Sequence, residues 1–381
     1  MRSSFNNRSF RFDKDRSALG TVKAFPENVE IEALLTYTPN DRQNVNLNTV
    51  PDERYVAVTM HYSFSKLPDV PMQPRLADDR TGYFLQAVKD FSRDDQEHFW
   101  RRYITRWRLE KKDPSAALSE PVKPIVFYID KTVPEKYRPY MKRGVEAWQK
   151  AFEAAGFKNA IIAKDAPDDP QYDPGDVRYS TLRWITSSEP SFGAIGPSRI
   201  DPRTGEILDA DILFEASIVQ RRWSIYRYLV GGPGTTFELP MLRESSTLPA
   251  ALQCEAAAGA AVGMTLADLA TTVDAGQAGG DPVREEFVGE MLTHTVMHEV
   301  GHTLGLTHNF RASTATPSDK LNDVEWTSQH GLMGSVMDYA TPNIARDRDQ
   351  AGEILRDWPR HRGSVDDPLR IYTHRRQGSR R

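Results

Sequence analysis

Residues 281–310 read DPVREEFVGEMLTHTVMHEVGHTLGLTHNF. Asp281 and Pro282 form a capping and first-turn pair, and Glu285 and Glu286 add negative charge where a helix dipole favours it, so a helix is predicted to start here. Phe287, Met291, His294, His298 and His302 recur at three- and four-residue steps, so one stripe of that helix passes from apolar to imidazole. His298 and His302, four apart, stand about 40° apart around the axis and about 6 Å along it, which lets two imidazoles share one ion. Glu299, one residue along, projects beside that ion and is placed to take a proton from a water there. Gly305 permits a positive φ, which ends the helix and turns the chain so that His308 returns towards the ion as a third ligand. Three neutral imidazoles with a fourth position left to water describe a catalytic zinc site. His294 shares the stripe one turn earlier, and its distance along the axis makes it a packed supporting histidine rather than a fourth ligand.

Downstream, GSVMDY at 334–339 contains Ser335, Met337 and Tyr339. On composition alone, Met337 reads equally as core filling. Upstream, IVFYID reads as a buried strand, and the helix after Pro134 puts Val145, Trp148, Ala151, Phe152 and Ala155 on one face before Gly156 closes it. AIIAK and VRYSTLRWI are predicted strands, and DPRTGEILDADILFE reads as a tight turn into one half-buried strand. On that strand Leu208, Ala210, Ile212 and Phe214 share one face while Asp209 and Asp211 share the other. A helical segment follows at 217–230, then a Gly/Ala-rich region. From Thr21 to about Lys112 the pattern is β-like and predicts an antiparallel accessory layer, with EIEALLTY, YVAVTMHYSF and HFWRRYITRWRLE as its strands. The proline-rich DPSAALSEPVKP then marks a boundary. The expected domains are 1–115 (β-rich, accessory), 120–345 (catalytic) and 346–381 (an Arg-rich tail).

The 381 residues exceed what one hydrophobic core usually serves. With 39% apolar and 27% charged residues and no apolar run of about 18, the chain reads as globular with no membrane span. A net charge of −4, without a basic aromatic-interleaved stripe, argues against nucleic acid as a partner. The single Cys254 excludes an internal disulfide and a cysteine-based zinc site, and reads as a small apolar side chain. Asp168, Asp169, Asp173 and Asp176 cluster in a loop that reads as solvated, with Ca2+ as its alternative ligand. The polar N-terminus lacks a signal-peptide core.

The pattern H-E-x-x-H-x-x-G-x-x-H is the metzincin signature. A bare H-E-x-x-H arises by chance in roughly one chain in a hundred, and the added Gly and His make coincidence a poor explanation. The chain resembles the Met-zincin family of large bacterial zinc-dependent metalloproteases. The resemblance runs through PIVFYIDKTVPEKYRPYMKRGVEAWQKAFEAAGF, DVRYSTLRWI, GPSRIDPRTGEILDADI, HEVGHTLGLTHNF and SVMDY, and more weakly through LADDRTGYF. It implies an α+β fold: a metzincin-like catalytic domain with a twisted mixed sheet, an active-site helix and a Met-turn, preceded by a β-rich accessory domain. It also implies that Met337 floors the zinc ligands, that Tyr339 assists the oxyanion, and that GEILDADI is the edge strand on which a peptide lies, through Leu208, Ala210 and Asp211. Export of the parent protein is implied as well. The resemblance is expected to stop after Asn343. From Arg346 to Arg381 there are ten arginines and no lysine, which reads either as a frameshifted or truncated end or as a disordered basic extension.

These residues predict a zinc-dependent metalloendopeptidase with a zinc-bound water activated by Glu299, one catalytic Zn2+, and a peptide or protein as substrate. The alternatives are a truncated or inactive zinc-binding interaction protein, and a zinc hydrolase acting on non-peptide amides or chain ends.

Overall fold

β-branched and aromatic residues place strands broadly where the sequence predicts them, and tertiary pairing decides which sheet each joins. A computed structural model of the chain describes residues 10–40, 52, 54–92, 99–187, 192–219, 263 and 285–339. Cys254, residues 281–284, most of the expected helix at 217–230, the Gly/Ala-rich region and the 346–381 tail lie outside these. The fold is α+β, and no described helix is long and apolar enough to cross a membrane.

By its contacts the chain divides into two units, one of residues 1–69 with 173–178 and one of the remainder. The first carries a three-stranded antiparallel sheet of β1 (Phe10–Ala24), β2 (Asn28–Pro39) and β3 (Val56–Ser65). Segment 173–178 is held to it by Asn28, whose amide donates to the Gly175 carbonyl at 2.7 Å and accepts from the Val177 N–H at 3.2 Å.

The second unit is built on a mixed five-stranded sheet ordered β10 (Ala194–Ile195), β13 (Ile212–Glu215), β9 (Ser180–Ile185), β7 (Ile125–Ile129) and β8 (Ile161–Asp165). The pairs β13–β9, β9–β7 and β7–β8 are parallel, and β10 is the antiparallel edge. Helices α1 (Arg138–Glu146) and α2 (Gln149–Ala154) replace the single expected helix, and Val145, Trp148, Ala151, Phe152 and Ala155 are all buried as their spacing requires. Gly156 ends the run at φ +86°. The stretch 113–124 is not loose: Ser119 is buried, with its N–H on the Gly156 carbonyl and its carbonyl accepting from Lys158.

Two expectations change. GEILDADILFE is not one strand but two, in different sheets. β12 (Glu206–Ala210) pairs with β11 (Ser198–Ile200) on one side and, at Glu206 and Ile207 only, with β6 (Arg106–Trp107) on the other, whereas β13 lies inside the five-stranded sheet. The aspartates do not line a solvent face either. Asp209 accepts from the Ser180 hydroxyl at 2.9 Å, and Asp211 accepts from the Thr181 hydroxyl at 2.6 Å and its N–H at 3.0 Å. Burial, with Asp211 nearby, pushes the Asp209 carboxyl up to about 7. The stretch from 70 to 111, read as accessory, lies in the second unit because β6 pairs in parallel with β12 and because β5 (Trp100–Ile104), with its partner β4 (Leu85–Lys89), flanks the same region.

The long helix α3 (Glu285–Thr303) packs on α1 through Gly144, where an added Cβ would lie 2.6 Å from Val296 Cβ and 2.7 Å from the Thr293 carbonyl oxygen. Gly144→Ala is therefore expected to destabilise by roughly 1–3 kcal/mol through overpacking, despite alanine's better helix propensity. Urea unfolding checks this, and an unchanged or raised midpoint would contradict it.

Candidate metal centre

Every residue from Met291 to Leu306 is buried, so this helix is enclosed on all sides rather than amphipathic. Enclosure requires partners for its polar groups. The Trp148 indole donates to the Met297 carbonyl at 2.9 Å and the Trp107 indole to the Thr303 carbonyl at 2.8 Å. Thr293 and Thr295 hydroxyls return to the carbonyls four residues earlier.

The helix ends as the sequence predicts. Gly305 has φ +97°, its N–H meets the His302 carbonyl at 2.9 Å, and the Leu306 N–H reaches the Gly301 carbonyl at 3.0 Å, a Schellman ending. The reversal brings His308 back to the helix. One ligand atom from each of His298, His302 and His308 lies within 4.8 Å of the others.

The ring nitrogens of the helix pair are assigned by their surroundings. Nδ1 of His298 lies 2.7 Å from the Val336 carbonyl oxygen and Nδ1 of His302 lies 2.8 Å from that of Leu306. A carbonyl only accepts, so each Nδ1 carries the proton and each Nε2 presents a lone pair. Burial pushes His302 down to about 4, and burial, then His302, pushes His298 well below the usual imidazole value. Burial lowers His308 too. Neutral imidazoles suit a metal. His302 Nε2 and His308 Nε2 stand 3.2 Å apart, close to the roughly 3.3 Å that two nitrogens subtend at a tetrahedral zinc with bonds of about 2.0–2.1 Å. The donor set therefore fits zinc.

Residues 335–339 form a loop against the ligands. Val336 accepts from His298, Met337 is buried and its carbonyl accepts from the Asn309 N–H at 2.9 Å, and a side chain at Gly301 would collide with the Met337 sulfur. Met337 thus lies against the helix between the two ligand positions. The Tyr339 ring stands edge-on to His308 at 4.9 Å and 5.7 Å from His298. Phe310 stacks on His308 at 5.0 Å and is 57% exposed. Glu299 is fully buried.

Residues 280–366 match the family described as Met-zincin, and residues 1–112 match a domain of unknown function. Over that stretch the chain is similar to the Met-zincin family, and the three-histidine group lies inside it. No curated protein and no solved structure matches it. The Met-zincin match runs to residue 366, past Asn343, so the first part of the Arg-rich tail falls within family sequence, which corrects the expected end of the resemblance. The coarse character is that of a metallopeptidase-like zinc protein.

The Asp168–Asp176 stretch does not converge on an ion. Asp168 pairs with Lys131 at 2.8 Å, Asp173 with Lys23 at 2.5 Å, Asp176 with Arg178 at 2.5 Å, and Asp169 accepts from the Gln171 N–H. Among the described residues the three histidines are the one group of three or more His, Cys, Asp or Glu that could hold a metal ion. Sequence reasoning missed the short strand Ala194–Ile195, an end strand of the mixed sheet among the described residues. The glycines beside it were the available signal: Gly193 accepts from the Glu215 N–H, and a Cβ on Gly196 would lie 2.8 Å from the Glu299 carbonyl oxygen.

His294 is buried and outside the ligand group, and burial pushes it down to about 4. Unfolded, it takes up its proton near 6.5. Because the folded value is the lower one, its contribution to stability is complete above pH 6.5 and is lost as pH falls towards 4. The loss is on the order of 3 kcal/mol, from 2.5 units (6.5 − 4) at about 1.36 kcal/mol each. In the zinc-free protein, the stability of the parent relative to His294→Leu should fall by that order across this window in denaturant titrations. Parallel pH profiles would show that another group governs it.

Proposed function

We propose that the chain is a zinc metalloendopeptidase, with His298, His302 and His308 as ligands and Glu299 and Tyr339 as its reacting groups. The observation that carries this is the ligand geometry: two helix imidazoles whose Nδ1 protons are committed to carbonyls, and a third ring 3.2 Å from one of them at Nε2. Zinc held by these three histidines would supply Lewis acidity, to polarise a peptide carbonyl and lower the pKa of a water. Glu299, about 100° around the helix from His298 and 60° from His302, accepts that water's proton and returns it to the leaving amine. Tyr339, beside His298 and His308, donates its phenol O–H to the oxyanion. Met337 floors the ligands in the manner of a Met-turn, and Gly305 holds the reversal that delivers His308.

The substrate strand adds at Ala194–Ile195, the end strand of the mixed sheet among the described residues, whose next residue, Gly196, sits against the helix at Glu299. Extended peptide there places a scissile bond beside the ligands without a substrate role for Leu208, Ala210 or Asp211.

The test measures zinc content and cleavage of an unfolded protein such as casein. One zinc per chain with internal cleavage is expected, whereas zinc binding without cleavage supports the inactive alternative, and a requirement for a free amine supports the exopeptidase. Tyr339→Phe is expected to keep its zinc and lose roughly 10- to 100-fold in kcat, as for removal of one oxyanion donor of modest strength. An unchanged kcat would remove Tyr339 from the reaction.

A further inference from the structure

The two ligands nearest the helix end are held by chain far away in sequence. The Phe84 N–H donates to the Gly305 carbonyl at 2.7 Å, and the Thr307 N–H donates to the Gly82 carbonyl at 2.9 Å. Tyr83 forms an antiparallel bridge with Leu306, so Gly82, Tyr83 and Phe84 lie as a short strap along Gly305, Leu306 and Thr307. The strap is itself fixed, since Tyr83 is buried in the core and the Phe84 carbonyl accepts from the Thr105 N–H at 2.9 Å. Leu306, bridged in this way, is the residue whose carbonyl orients His302 through Nδ1. The Phe84 ring, half-buried, then lies against the His302 ring, with centroids 5.7 Å apart and a tilt of 48°. Two residues beyond Thr105, Trp107 closes the last turn of the helix through the Thr303 carbonyl.

Gly82, Tyr83, Phe84, Thr105 and Trp107 fall within the 1–112 stretch that matches a domain of unknown function. We infer that Gly82–Phe84, with Thr105 and Trp107, form a built component of the metal centre, and that Phe84 is a positioning residue for His302. The strap fixes Leu306, Leu306 fixes the Nδ1 side of the imidazole, and the phenyl ring blocks rotation out of that plane. Loss of such support around a metal-binding histidine typically costs about 10- to 100-fold in metal affinity.

This rests on the three-histidine zinc reading, and the readout is metal binding rather than peptide cleavage. Zinc affinity by competition with a chromophoric chelator, the absorption spectrum of the cobalt-substituted protein and the Tm of the zinc-free protein are measured for the full chain, Phe84→Ala, Phe84→Leu and Phe84→Tyr. Phe84→Ala is expected to bind zinc roughly 10- to 100-fold more weakly with an altered cobalt spectrum, and Phe84→Tyr, which keeps the ring, to restore both. If Phe84→Ala does not fold, Phe84→Leu, which keeps bulk but no ring, carries the same comparison. A lowered zinc-free Tm with zinc affinity and cobalt spectrum unmoved would assign Phe84 to packing and overturn the inference. A parent that takes up no zinc defeats the metal reading and this inference together. A parent that binds zinc and cleaves nothing defeats only the peptidase.

Discussion

Glu299→Gln is expected to keep its zinc and to lose roughly 10²- to 10⁴-fold in peptide hydrolysis, the usual contribution of a positioned general base. The substitution preserves shape and removes only the ability to accept a proton. Metal retention is expected because the three proposed ligands are imidazoles, and two of them take their orientation from the Val336 and Leu306 carbonyls, neither of which involves Glu299. Zinc content and kcat/KM on one peptide separate the two roles. Full activity in a zinc-loaded Glu299→Gln would refute the mechanism, and loss of the metal would place Glu299 in the ligand set.

Gly305→Ala is the second large effect. The backbone there lies at φ +97°, which costs an L side chain about 1–2 kcal/mol, and the added Cβ would collide with the Thr105 carbonyl oxygen, adding a further 1–3 kcal/mol or so of overpacking. A destabilisation of roughly 2–5 kcal/mol is expected, together with weakened zinc binding, because the same reversal delivers His308 and positions the Leu306 carbonyl on His302. Denaturant midpoints with and without zinc measure both. A variant as stable as the parent and equally able to bind zinc would mean that the turn relaxes without cost.

The parts of this molecule written in local code were legible. The imidazole stripe, Glu299 and Gly305 follow from a 3.6-residue period and one glycine conformation, and the buried set Val145, Trp148, Ala151, Phe152 and Ala155 follows from the same period. The strands at Ile125–Ile129, Ile161–Asp165 and Ser180–Ile185 follow from β-branched runs. What escaped was decided by pairing. A two-residue strand such as Ala194–Ile195 is too short to show a period, and alternation at 206–215 gave no sign that the chain passes from one sheet into another at Asp211. Asp209 and Asp211 looked solvated because their partners, Ser180 and Thr181, lie about thirty residues away, a relation no window of sequence contains. Phe84 closes LADDRTGYF, whose resemblance is weak and names no role for it, and Trp107 carries no motif at all.

That last separation has a kinetic side. The bond from Trp107 to Thr303 spans 196 residues, and the strap at Gly82–Phe84 closes on Gly305–Thr307 over a still longer interval. Contacts this distant in sequence close slowly, since loop-closure entropy is lost before the contact forms. The local turns of α3 can form early, but the orientation of His302 waits for the two ends of this interval to meet. A growing chain would therefore carry all three ligands, yet hold no finished metal centre, until its folding is nearly complete.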